Sequence, residues 1–89
     1  MDKNINHYPS KQELKDATVT IIQNCNGQCT TKYINDMVAK KLDLSEEYLT
    51  LEDDSGLGTV FNYRMRWIRT ELKKEGKIVN IKRGIWKKS

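Results

Sequence analysis

The sequence predicts an α+β fold built around one long amphipathic helix that leads directly into a β-hairpin. Two observations carry this prediction. Within residues 59–75, apolar side chains recur at the spacing of a helix, and they are Phe61, Met65, Ile68 and Leu72. Within residues 77–88, two short β-rich runs are separated by the pair Arg83-Gly84, which is suited to a tight turn.

The long helix is predicted to carry a basic face opposite its apolar stripe. Thr59 has the side chain of a helix N-cap, and Gly76 can adopt the left-handed conformation that ends a helix. At ~100° per residue, polar and basic residues fall away from the stripe. Tyr63, Arg66, Thr70 and Lys73 lie opposite it, with Asn62 and Arg69 at its edge.

Three shorter helices are predicted before the long one, over residues 11–24, 32–41 and 45–49. Ser10 and Glu13 have the spacing of a capping box at the start of the first helix. Thr30 or Thr31 can cap the second helix. Residues 28–30 are long enough only for a bridging strand that pairs with the hairpin. This order is that of a winged helix-turn-helix, with three to four helices and a small antiparallel hairpin as the wing.

The positive charge is concentrated in the last third of the chain. Residues 60–89 contain ten Lys or Arg and two Glu, a net charge of +8. Residues 1–59 contain six Lys or Arg and ten Asp or Glu, a net charge of −4. Charge separated in this way orients a protein toward a polyanion, with the basic third facing it.

Length and composition exclude several classes of protein. The 89 residues are enough for one domain, which we place at 10–89 after a flexible leader over 1–9. The polar start and the lack of a long apolar run predict a cytoplasmic protein without a membrane segment. Cys25 and Cys29 lack the spacing of a redox or zinc motif, and we expect no metal and no cofactor. No combination of nucleophile and general base is present, so we predict no catalytic residues and no enzyme activity.

A family resemblance lies in the basic third. The segment GTVFNYRMRWIRTELKKEG at 58–76, with Ile78 and KRGIW at 82–86, resembles the N-terminal winged-helix domain of Mrr-type restriction endonucleases. In that family a Phe begins the helix, an Arg and a Trp follow, and an Arg-Gly turn opens the last strand. The resemblance covers about residues 42–87; it departs from the family at Ile68, where a small residue is favoured. It implies a DNA-recognition module that in relatives precedes a nuclease domain, and we expect the catalytic acids and lysine of that domain to lie outside this sequence.

Charge and resemblance together predict a double-stranded DNA-binding module. The helix over 59–75 would enter the major groove, and the wing over 77–88 would lie on the backbone or in a minor groove. Asn62 and Arg66 can each make two hydrogen bonds to a base, to adenine and guanine respectively. The predicted DNA-binding residues are Thr59, Asn62, Tyr63, Arg66, Arg69, Thr70, Lys73, Lys82 and Arg83. Among these, Arg69, Lys73, Lys82 and Arg83 are assigned to phosphates.

Other interpretations stay open at this point. The fold can serve protein interaction through the acidic residues 43–54, or the chain can be a small stand-alone transcription regulator. A nuclease domain or subunit is a possible partner, and a monomer is favoured because no exposed apolar stripe marks a dimer face.

Four further side chains carry expectations that the structure can test. Leu51 is expected to anchor the chain after the third helix, and Trp86 to join the core. Trp67 is expected to be partly buried rather than a platform for stacking bases. Arg64 can pair with an acid of residues 52–54 or reach a phosphate.

Overall fold

The computed structural model describes residues 8–56 and 58–89, so residues 1–7 of the leader predicted over 1–9 lie outside the described residues. The described part of the chain contains four helices and three strands. In chain order they are α1 (Lys11–Gln23), β1 (Cys29–Thr30), α2 (Thr31–Lys41), α3 (Glu46–Leu49), α4 (Val60–Lys74), β2 (Ile78–Lys82) and β3 (Ile85–Lys88). The prediction of an α+β winged helix-turn-helix with a hairpin wing is confirmed.

The helices begin and end where short polar residues and glycine allow. The Ser10 hydroxyl accepts a hydrogen bond from the Glu13 amide at 3.1 Å, and the Glu13 carboxylate accepts one from the Ser10 amide at 2.8 Å. This is the predicted capping box. Of the two candidates for α2, Thr30 is the cap. At the end of α4, Gly76 follows the C-cap with a φ of +78°, a conformation that favours glycine.

The sheet has the order β1-β3-β2, and both pairings are antiparallel. β1 is the predicted bridging strand, with Cys29 opposite Trp86. Between β2 and β3 the register shifts after Asn80, whose amide donates to the carbonyls of Lys82 at 2.8 Å and Ile85 at 3.0 Å. The Asn80 side chain thereby bonds to the hairpin backbone at the point where the register shifts.

The tip of the hairpin lies against the start of α2. Gly84 has a φ of +77°, as the predicted tight turn requires. Its carbonyl accepts a hydrogen bond from the Thr31 amide at 2.9 Å. The turn that carries Arg83 is therefore fixed relative to the helices and does not project freely.

The core forms between α1, α2, α4 and the sheet. All four members of the predicted α4 stripe are buried, together with the inner faces of α1 and α2. Thr18 is buried in α1, and its hydroxyl donates to the Leu14 carbonyl at 2.7 Å, so the one polar group on this face is satisfied within the helix. Trp86 packs against the core as expected. The expectation for Leu51 is wrong, because its side chain is 40% exposed and only its backbone bonds to neighbouring elements.

Arg64 links α4 to α3 and to the segment before α1. Its guanidinium donates to the Pro9 carbonyl at 2.8 Å and to the Tyr48 hydroxyl at 3.1 Å. Tyr8 packs on the same tyrosine, with ring centres 4.9 Å apart. Within the fold, Pro9 and Tyr48 thus take the place of the expected acid of residues 52–54 as partners of Arg64, and the phosphate alternative stays a prediction.

The acidic residues of α4 pair with α1. Glu71 contacts the ammonium groups of Lys11 at 2.9 Å and Lys15 at 3.1 Å, and Glu75 contacts that of Lys15 at 2.6 Å. The hydrogen bonds from Lys11 and Lys15 lower the pKa of Glu71. Those to Glu75 and Glu71 raise the pKa of Lys15. These pairs hold α1 against α4 along their polar edges.

Replacing Glu71 by Gln is expected to lower stability in a pH-dependent way. Because the folded-state pKa of Glu71 is depressed, its contribution is present above the ordinary value of 4.5 and is lost as the pH falls through the lower folded value. The pKa of Lys15 is raised, so its contribution to stability has the opposite pH dependence. That contribution is present below the ordinary value of 10.5 and is lost only as the pH rises above it. Thermal unfolding should therefore separate Glu71→Gln from wild type at neutral pH and bring the two together in acid. A difference that persists in acid, or an equal effect of Asp54→Asn in the exposed loop, would contradict this origin.

Candidate nucleic-acid interface

The exposed surfaces of α4 and of the hairpin together carry six of the nine residues predicted to bind DNA. Asn62, Tyr63, Arg66 and Lys73 are exposed on the helix, and Lys82 and Arg83 are exposed on the hairpin. At ~100° per residue, Glu71 and Glu75 lie about 140° and 180° around the helix from Arg66. Since both acids pair with α1, the exposed face of α4 keeps its positive charge without acidic neighbours from the same helix.

The two predicted threonines already have hydrogen bonds within α4. The Thr59 hydroxyl accepts from the Asn62 amide at 3.1 Å, as an N-cap does. The Thr70 hydroxyl donates to the Arg66 carbonyl at 3.0 Å. Both side chains are half-buried. Thr59 therefore begins the helix, and Thr70 has only lone pairs left for a ligand.

The expectation that Arg69 lies at the edge of the exposed face and reaches a phosphate is wrong in its placement. The residue is only 8% exposed. Its guanidinium donates to the Asn35 side-chain carbonyl at 2.8 Å and lies 5.8 Å from the centre of the Trp86 ring. Burial, and then the nearby charge of Arg66, lower the pKa of Arg69. The helical wheel could not foresee this, because α2 and β3 cover that flank of α4.

Trp67 is more exposed than the sequence predicts. Its side chain is 51% exposed, and its ring lies edge-on to Tyr63, with ring centres 6.3 Å apart and an interplanar angle of 71°. Tyr63 is equally exposed. Tyr63 and Trp67 therefore form an exposed aromatic pair, one helical turn apart, beside the basic face of α4.

The loop before α4 forms one wall of an open cleft of about 440 Å³ at the start of the helix. The described residues that line it are Asp53, Ser55, Gly58, Thr59, Asn62, Tyr63 and Arg66. The Asp53 carboxylate accepts from the Ser55 amide at 3.0 Å, and the bonds to Ser55 lower its pKa. The Asp53 amide donates to the Gly58 carbonyl at 2.9 Å, which ties the loop to the helix start. The sequence does not predict this cleft; in it, the acids of residues 52–54 indicate only a contact for a partner protein or for Arg64.

A model of the Mrr N-terminal domain family matches residues 12–88. The chain belongs to the Mrr N-terminal domain family. The match includes α1 and α2, and so extends beyond the segment in which the sequence itself shows the resemblance. Searches of curated proteins and of solved structures found no match.

Beyond the helix and hairpin, the described residues of this Mrr N-terminal domain offer little other chemistry. Cys25 and Cys29 are free thiols. Burial, followed by the hydrogen bond with Cys25, raises the pKa of Cys29 to about 12, so it is a poor thiolate ligand or nucleophile. Residues 8–56 and 58–89 contain no group of three or more metal-binding side chains and no helix long and apolar enough to cross a bilayer.

Replacing Arg69 by Met is expected to destabilise the fold. The change keeps an aliphatic stem but removes a charge-assisted hydrogen bond, a loss of about 1.5–3 kcal/mol. For a domain of this size, that corresponds to a fall in Tm of roughly 4–8 °C for each kcal/mol. Arg66→Met is the matched control; because Arg66 is exposed, we expect a change within about 0.5 kcal/mol. Equal effects of the two substitutions in thermal unfolding would show that the burial of Arg69 contributes nothing.

Proposed function

We propose that this Mrr N-terminal domain is a non-catalytic, double-stranded DNA-binding module. α4 lies in the major groove, and the hairpin lies on the neighbouring backbone or in a minor groove. The observation that carries the proposal is the exposed basic face of α4, whose own acids are paired with α1 on the other side. A major groove about 12 Å wide admits such a helix, and its phosphates complement the charge.

The exposed side chains divide into two groups in this proposal. Asn62, Tyr63 and Arg66, at the start of α4, approach base edges, while Lys73 and Lys74 contact phosphates near its end. Lys82 and Arg83 add phosphate contacts from the wing. Without Arg69, about four to five phosphates are neutralised, and log K should fall with log salt at a slope of roughly −4.

The hydrogen bond between Thr31 and Gly84 supports a fixed place for the wing. It holds the turn of the hairpin at the amino end of α2, while Trp86 in β3 donates to the Thr31 hydroxyl at 2.9 Å. Lys82 and Arg83 are thus presented at a set distance from α4. A fixed spacing between two groups of cations defines the register on a duplex.

Arg66→Ala and Lys73→Ala are expected to affect binding in different ways. Loss of Arg66 should relax base preference in a selection from a random duplex pool and leave the salt slope almost unchanged. Loss of Lys73 should weaken all duplexes alike and reduce the slope by about 0.9. Fluorescence anisotropy at several salt concentrations, with sequencing of the selected pool, measures both effects. A uniform loss for Arg66→Ala would make it a phosphate contact, and no duplex binding even at low salt would refute the proposed function.

Neutralising the wing tests its part in the interface. The double change Lys82→Gln and Arg83→Gln should reduce the salt slope by about 1.8, as expected for two phosphate contacts. Lys40→Gln with Lys41→Gln removes the same charge from the far end of α2, about 15 Å along the helix from Thr31. An equal reduction in the control would mean that net charge, and not the position of the wing, determines affinity.

We further propose that the module acts in the cytoplasm, as part of a restriction system, with a nuclease domain or subunit supplying catalysis. Membership of the Mrr N-terminal domain family supports this association. A monomeric state is the simplest arrangement for a domain that covers one stretch of duplex. Sedimentation of the isolated chain, alone and with a short duplex, tests both the monomer and a 1:1 complex.

A second candidate function is protein interaction. The observation that favours it is the exposure of Tyr63 and Trp67 at 51% each, since aromatic residues are enriched at protein interfaces. It predicts negligible duplex affinity at physiological salt. Replacement of Trp67 by Gln distinguishes the two candidates: duplex affinity should survive if α4 reads DNA through Asn62 and Arg66.

A further inference from the structure

A chain of side-chain hydrogen bonds connects the buried Arg69 to the surface of α4. The Arg69 guanidinium donates to Asn35 Oδ1 at 2.8 Å, and Asn35 Nδ2 donates to Asn62 Oδ1 at 3.4 Å. Arg69 is buried, Asn35 is half-buried, and Asn62 is exposed in the cleft that also contains Arg66. The chain therefore runs outward from the core to the proposed reading surface.

The buried arginine determines which way both amides face. A guanidinium has donors and no acceptor, so the group of Asn35 that meets Arg69 must be its carbonyl. The Asn35 NH₂ group then faces Asn62, whose own carbonyl must turn inward to accept from it. By the same logic the Asn62 NH₂ group is left facing outward.

This orientation changes what Asn62 can read. Two hydrogen bonds to adenine require the carbonyl and the NH₂ group of Asn62 to face the same base edge. With the carbonyl turned toward Asn35, the outward side of Asn62 presents its NH₂ donors, and Arg66, one helical turn further, offers only donors as well. Guanine presents two acceptors in the major groove, N7 and O6, whereas adenine presents one acceptor and one donor.

We propose that the hydrogen-bond chain from Arg69 through Asn35 to Asn62 directs the start of α4 to guanine, with Asn35 as a positioning residue. The inference rests on the proposed DNA-binding function and specifies its base preference. Asn35 contacts no base in this arrangement. It acts by fixing the Asn62 amide as a donor beside Arg66.

The substitution Asn35→Asp tests the role of the amide orientation. Aspartate still accepts from Arg69 but cannot donate to Asn62. Its carboxylate instead accepts from the Asn62 NH₂ group, which leaves the Asn62 carbonyl facing outward. Selection from a random duplex pool should enrich guanine opposite α4 for the wild type, by about tenfold over adenine, the ratio that a difference of roughly 1.4 kcal/mol gives. For Asn35→Asp the ratio should fall toward unity. Gln28→Glu adds the same charge at an exposed position and should keep the wild-type preference.

Base analogues test the same contact from the DNA. Replacing the enriched guanine by 7-deazaguanine removes N7 and should weaken wild-type binding by about tenfold, within the range for one lost base contact. Thermal unfolding of each variant confirms that the fold is retained. If Asn35→Asp keeps the guanine preference, or if the wild type binds duplexes without it, this inference is overturned while the proposed function stands.

The free protein gives a result that does not depend on DNA. In a ¹⁵N spectrum of the side-chain amides, the Asn35 NH₂ protons should exchange with water more slowly than those of the exposed Asn26. Equally fast exchange would overturn the hydrogen-bond chain directly. Absence of duplex binding together with slow exchange would instead refute the proposed function, and with it the guanine preference.

Discussion

The burial of one guanidinium, that of Arg69, is the constraint on which the geometry of the proposed DNA-reading surface of α4 depends. A charge removed from water is tolerated only when hydrogen bonds and favourable contacts replace its hydration. Asn35 in α2 and the Trp86 ring in β3 supply these contacts. Because the partners belong to two other elements, the requirement to satisfy Arg69 fixes how α4 sits relative to both α2 and the hairpin.

The same arrangement explains why the charge of this small domain is divided as it is. The acids of α4 face α1, where Lys11 and Lys15 compensate them, and this leaves the opposite side of α4 basic. α1 therefore contributes to the core through its apolar face and to the electrostatics of α4 through its polar edge. Arg64 likewise has partners within the fold, but they are a carbonyl and a hydroxyl, so its charge is positioned by the fold and not neutralised.

Periodicity and capping chemistry were sufficient to predict most of the architecture. The stripe from Phe61 to Leu72 is buried, Thr59 and Gly76 bound the helix, and Arg83-Gly84 forms the turn, because each feature depends on local geometry. The positions of Arg69 and Leu51 were not predictable in the same way. A helical wheel gives an angle about the helix axis, and a loop pattern indicates a connection, but neither tells which neighbouring element covers a given flank.

Arg66 and Arg69 are identical side chains that the fold places in different environments. They lie three residues apart on one helix and differ by about 60° around its axis. That rotation is enough to leave one guanidinium in solvent and to enclose the other between α2 and β3. The enclosed arginine still influences the surface. Because it can only donate hydrogen bonds, it fixes the orientation of the Asn35 amide, and Asn35 in turn fixes that of Asn62. If the proposed function holds, stability and base preference are therefore coupled at Arg69, while Asn35→Asp changes the preference and retains the bond that holds the helices together.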